Sequence, residues 1–274
     1  MEIDRRAFIA SLGGTVVVEA MCPEAKAEAL EHHLSDLLDE SLGDGHAHAH
    51  AEVEQVVAAP PEATVRRGAG SLFTPQGPAN ARKMPELAPM PAKPTLVDFF
   101  NLRFAPANHV LQSATRALKT GMSEQVILGC LLHDVVQNLI KVDHGWWGAQ
   151  MIEPYVDEKV SWAVRHHQAL RFYPDPANGY EYPELYTRIY GKDYVPPQYI
   201  KDAYEYAKKH KWYMEARLIT VNDLYAFEPG VKVSLDPFID IIGRNFKQPK
   251  EGLGFDNSPT AHMWRTMMYP DNPL

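Results

Sequence analysis

The stretch SEQVILGCLLHDVV, residues 123–136, decides the fold. Val126 through Leu132 run without a polar residue and then meet His133 and Asp134. Ser123, with Glu124 and Gln125 behind it, is a helix start, and Gly121 closes the segment before it. A helix apolar on every face is a core helix, so His133 and Asp134 are expected in the interior. Burying a lone carboxylate costs on the order of several kcal/mol, and a bound cation removes that cost.

Outward from this helix, apolar spacing is helical almost throughout from Thr95, with few helical signals in the C-terminal segment from Gly252. Helices are expected over 97–104, 107–120, 123–140, 143–154, 157–172, 197–209, 212–227 and 236–246, with Asp157 and Glu158 marking another start. No alternating strand pattern, GxGxxG or GxxxxGK[ST] appears, so the fold class is all-α. A Tyr- and Pro-rich loop is expected over roughly 173–197, and a loop of that length in a compact domain is usually functional. Its tyrosines (Tyr173, Tyr180, Tyr182, Tyr186, Tyr190, Tyr194) suit a lid over a site or a structural flap. After it comes an irregular C-terminal wrap, in which Met263, Trp264, Met267 and Met268 suit core packing or a partner surface.

Upstream the character changes. Residues 28–94 carry one helix-compatible segment, 28–42, and then GDGHAHAHAE (43–52) and a Pro/Ala-rich run, read as a mobile linker. His46, His48 and His50 alternate there, as a weak chelating tract or a solvated one. In residues 1–27, Arg5-Arg6 before an apolar stretch reads either as a twin-arginine signal, exporting the chain folded, or as a frayed helix of a cytoplasmic protein. The domain itself is placed over 95–274.

Composition narrows the class. Lys plus Arg number 27 against 35 Asp plus Glu, a net charge of −8, which disfavours nucleic acid as the partner. No run of about 18 apolar residues exists to span a membrane. The two cysteines, Cys22 and Cys130, form neither a CxxC pair nor a disulfide framework. Histidine, at 12, is the unusual count. In the helical region the candidate ligands come as His109, His133-Asp134, His144, His166-His167 and Asp223. His109, Gln112, Ser113 and Arg116 share one polar stripe on an otherwise apolar helix. Asp223 follows Ile219 and Ala216 by one and two turns, on a buried face. His167 lies on the apolar stripe of Val160, Ala163 and Val164, whereas His166 is rotated about 100° away. His167 is therefore preferred, with His166 as the alternate.

This ordered set resembles the HD-domain superfamily of metal-dependent enzymes over roughly residues 96–228, about half the chain. The resemblance implies an HD-type helical bundle in which His109, His133, Asp134 and Asp223 hold one metal ion. Asp134 would bridge to a second ion held by His144 and His167. The segment His109-Val110-Leu111-Gln112-Ser113-Ala114 is similar to the H-x-x-Q-[ST]-A of the mixed-valent diiron oxygenases, which include myo-inositol oxygenase and the HD-type organophosphonate oxygenase. Two irons (Fe2+/Fe3+) and O2 are implied, acting on a small hydroxylated substrate by C–C or C–P cleavage. Arg171, four residues after His167, matches the basic residue of the phosphonate enzyme and would anchor an anionic group; as a sequence position alone it also suits a solvated helix end. Gln112, Gln137 and Arg171 are the supporting or substrate-binding candidates. Val136-Gln137 and Thr220 differ from the two named members, so the reaction type carries over more directly than the substrate. The alternatives are a phosphohydrolase using Mn, Ni or Zn on a nucleotide or phosphoester, and a non-catalytic scaffold.

Overall fold

The computed structural model describes residues 87–104, 107–137, 139–140 and 143–270. The twin-arginine segment, the helix expected over 28–42, the histidines His46, His48 and His50, and Cys22 lie outside them. In chain order the α-helices are α1 (Leu96–Leu102), α2 (Ala107–Lys119), α3 (Glu124–Leu132), α4 (His144–Ile152) and α5 (Glu158–Leu170). They continue as α6 (Glu184–Tyr190), α7 (Gln198–Lys209), α8 (Tyr213–Leu224), α9 (Ile239–Asn245) and α10 (Ala261–Met268). Among the described residues there is no strand, only an isolated antiparallel bridge between Asp175 and Tyr180. The protein is all-α, and among the described residues no helix is long and apolar enough to cross a membrane.

The described residues group into two compact units, one within Ala105–Lys247 and one within Asp44–Phe104 together with Gln248–Leu274. In the second unit, Thr95 and Asp98 close a capping box on α1: Asp98 N donates to Thr95 Oγ1 (3.1 Å) and Thr95 N to Asp98 Oδ2 (2.8 Å). Phe99 packs edge-on against Trp264 of α10, ring centroids 5.3 Å apart. Gly252, at φ +104, brings its backbone against Lys93 and Pro94 where a Cβ would fall 2.8 Å from Lys93 Cα.

The first unit holds every candidate ligand. Its helix α5 packs on α8, α4, α3 and α7, and α2 lies on α3 and α8. Helix α3 is buried from Val126 to Leu132, as its composition requires. Ser123 caps it, accepting from Val126 N at 3.3 Å. Gly129 lets α8 approach closely, because a Cβ there would lie 2.6 Å from Ile219 Cδ1. Helix α2 ends in a left-handed Gly121 (φ +70), with Met122 N donating to Ala117 O and Gly121 N to Leu118 O.

Three expectations need correction. The helix expected over 123–140 stops at Leu132, and the backbone continues in tight turns, Val135 N to Leu132 O and Gln137 N to Asp134 O. Val135 and Val136 are still buried, so the apolar pattern runs on past the helix end. The 173–197 segment is not all loop: α6 lies inside it, begun after Pro183 and stopped at Gly191 (φ +90). The C-terminal segment contains α10, with Ala261, Trp264 and Met268 buried on one face, so Trp264 and Met268 belong to the core. Both overlooked helices are short, too short for a repeating apolar stripe to stand out.

Candidate metal centre

Five stretches of chain meet at one buried place. His109 sits in the first turn of α2, and His133 caps the C-terminus of α3 with Asp134 directly after it. His144 opens α4, His167 lies in the last turn of α5, and Asp223 in the last turn of α8. None of the six is more than 2% exposed. They form two triads, each with ligand atoms clustered closely enough to hold a metal ion: His109, His133 and Asp223, and Asp134, His144 and His167.

The separations fit that use. His109 Nε2 is 2.9 Å from Asp223 Oδ1 and 3.3 Å from His133 Nε2, and His133 Nε2 is 3.5 Å from Asp223 Oδ1. Metal–ligand bonds of about 2.1 Å place neighbouring ligand atoms about 3.0–3.4 Å apart. Asp134 faces both groups: its Oδ1 is 3.0 Å from His144 Nε2 and its Oδ2 is 3.6 Å from His109 Nε2. One carboxylate therefore spans the two triads.

The surrounding structure aims the imidazoles. His133 Nδ1 bonds Cys130 O (2.8 Å) and His167 Nδ1 bonds Val164 O (2.6 Å), each donating to the carbonyl, which turns Nε2 inward as the lone-pair nitrogen. His167 Nε2 is buried with no hydrogen-bond partner among the described residues, as suits an atom reserved for a cation. His109 lies 4.2 Å from Phe227 in a stacked pair, and its Nδ1 is 3.3 Å from Ala226 O. Gln168 accepts from Gly145 N at 2.7 Å, and its Nε2 lies 3.2 Å from His144 Nδ1.

Electrostatics follow the same pattern. Burial alone would raise the Asp134 and Asp223 carboxyls, yet the facing imidazoles hold both below the usual carboxylate range. Burial, reinforced by His133 and His144, pushes His167 well below the ordinary histidine value and keeps it in the neutral, ligating form. Burial would lower His133 too, but the charges of Asp134 and Asp223 outweigh it and lift it to about 9. In the absence of a cation the two carboxylates thus draw a proton onto this imidazole. Cys130 is buried and free, its thiol pushed up to about 12 by burial.

The supporting candidates divide. Gln112 holds the chain beyond α8, its Nε2 donating to Glu228 O (3.0 Å) while its Oε1 accepts from Glu228 N (2.9 Å). It is thus a clamp that keeps Asp223 and Ala226 beside His109. Gln137 is 1% exposed, and its Oε1 has no hydrogen-bond partner among the described residues. Arg171 is 1% exposed, so it is no solvated helix end, and its charge reaches His167. His166 stands outside both triads: its ring packs 4.5 Å from Trp162 and 5.3 Å from Tyr206. Thr220 ties α8 to α5 by donating to His167 O at 2.7 Å. The tyrosines of the 173–197 segment pack as a flap: Tyr180 donates to Arg171 O, and Tyr190 and Tyr194 gather on Phe172 and Ile200.

No protein-family model matches the chain, and no curated protein matches it. Sequence reading missed Gln168 and Phe227. Position next to His167 was the only hint for Gln168, and nothing in the spacing marked Phe227.

Proposed function

We propose that this protein is a binuclear metal enzyme of the HD type, and specifically a mixed-valent diiron oxygenase that cleaves a C–C or C–P bond of a small hydroxylated substrate. The carrying observation is the pair of buried triads spanned by the two oxygens of Asp134. His109, His133 and Asp223 would hold one ion, His144 and His167 the other, with Asp134 shared. A donor set of imidazole and carboxylate without thiolate suits iron, and two irons would supply O2 activation when bound.

The chain's own residues prepare that chemistry. Burial of all six ligands excludes bulk water from the centre. The carbonyls of Cys130 and Val164 hold two imidazoles in the tautomer that presents Nε2. Arg171, buried at the C-terminal end of α5, would anchor an anionic substrate group, its planar fork suiting carboxylate or phosphonate oxygens. Gln137 Oε1, which has no hydrogen-bond partner among the described residues, would accept from a substrate hydroxyl.

The test is elemental analysis of protein purified without oxygen, with Mössbauer spectra of an iron-57 sample and O2-uptake assays. About two irons per chain, coupled as Fe(II)/Fe(III), and substrate-dependent O2 uptake are expected. Manganese or nickel with phosphatase turnover would replace this reading with an HD phosphohydrolase. No retained metal after reconstitution would leave a non-catalytic scaffold.

A further inference from the structure

A second concave site lies in the same unit, beyond the ligand histidines. It is a cavity of about 370 Å³ between α4, α5 and α7, and none of the six ligands lines it. That volume is in the range of small-molecule pockets. Its walls carry Trp146 and Trp147, 44% and 45% exposed, and Tyr199, 52% exposed. Single exposed aromatics are ordinary, but three around one hollow are not scattered surface. The two indoles stand edge to face, 4.7 Å apart at 85°, so they offer two differently directed π surfaces. Ile200 and Ala203 add an apolar floor.

Charge restricts the ligand further. Arg165 lines the pocket with its guanidinium 5.9 Å over the Trp146 ring, and Asp143 lines it with a carboxylate. Arg165 can pair one negative charge, and the Asp143 carboxylate repels any further one, which disfavours a polyphosphate. The polar part of the wall includes His166, which burial and the neighbouring Arg165 keep neutral, and Gln168, whose amide reaches Gly145 N and His144 Nδ1. A molecule in this pocket therefore sits one side chain away from a metal-ligand histidine.

We infer that the pocket bounded by Trp146, Trp147, Arg165 and Tyr199 binds a flat aromatic monoanion, an aryl carboxylate or sulfonate. The ring stacks on the indole and phenol faces, and the anion meets Arg165. The inference does not depend on iron or on the oxygenase reading.

The experiment is calorimetric titration of the full chain with 2-naphthoate, with and without added iron, so that failure of the diiron reading leaves the outcome interpretable. One saturable site is expected, weakened about tenfold or more by Trp147→Ala or by Arg165→Gln, and not competed by octanoate, which has charge but no ring. Tyr199→Ala, at a more exposed position, is the second variant should Trp147→Ala fail to fold. Absence of saturation, equal affinity in all variants, or stronger binding of pyrophosphate to the same site would overturn the inference.

Discussion

Asp134 faces both groups, its Oδ1 3.0 Å from His144 Nε2 and 3.5 Å from His133 Nε2 and its Oδ2 3.6 Å from His109 Nε2, so Asp134→Ala removes the one candidate donor they share. Metal retention is expected to fall by about an order of magnitude or more, read by elemental analysis. Unchanged metal content would overturn the ligand set. His166→Ala is expected to leave it unchanged, because that ring packs on Trp162 and Tyr206 instead. This distinction was legible in the sequence: a helical step of about 100° puts only one of two adjacent histidines on the buried face. The buried Asp was equally legible, since Val126–Leu132 leaves no solvated place for it. The parts that were not legible depend on contacts across elements. Gln168 acquires its role only where α4 crosses α5, and Phe227 only where the chain turns back beneath His109.

At the scale of elements, the centre depends on how α8 and the segment after it are held. Gln112→Leu removes both bonds to the Glu228 backbone and leaves its N–H and C=O without their protein partner. A loss of roughly 1–3 kcal/mol is expected, read as a lower urea midpoint at unchanged slope. A shift within experimental error would mean that solvent takes over both bonds at no cost. Helix positions were readable wherever caps and apolar stripes agreed, as at Ser123 and Asp157. The end of α3 was not, because Val135 and Val136 prolong its apolar run while the backbone tightens into turns. That tightening frees Asp134 from the helix surface. Helices α6 and α10 escaped reading because, at seven and eight residues, they are too short for a repeating apolar stripe.

For the molecule as a whole, a ligand bound only by the folded chain adds stability that grows with the logarithm of its free concentration over the dissociation constant. Under the proposed function, chelation should remove about 2.7 kcal/mol of stability relative to protein at a free metal concentration 100 times the dissociation constant, read as a lower unfolding temperature. An unchanged transition would show that the centre holds no ion. A second global lever is Asp175, which accepts from Tyr213 (2.7 Å) and Asn178 (2.9 Å) near Arg217. Burial would raise this carboxyl, but those partners hold it below the ordinary value. Its contribution is therefore present above the unfolded value of about 3.9 and disappears as the pH falls through the folded one. Asp175→Asn should flatten the acid limb of a melting-temperature profile below about pH 4; an identical limb would exclude that role. The placement of the ligands along the chain also bears on synthesis. Asp134, His144 and His167 have all been made by residue 167, whereas the group containing His109 and His133 waits for Asp223. At 5–20 residues per second that interval is on the order of several seconds. The nascent chain thus carries one complete set of candidate donors before the other exists, so under the proposed function the direction of translation would favour one ion entering before the other.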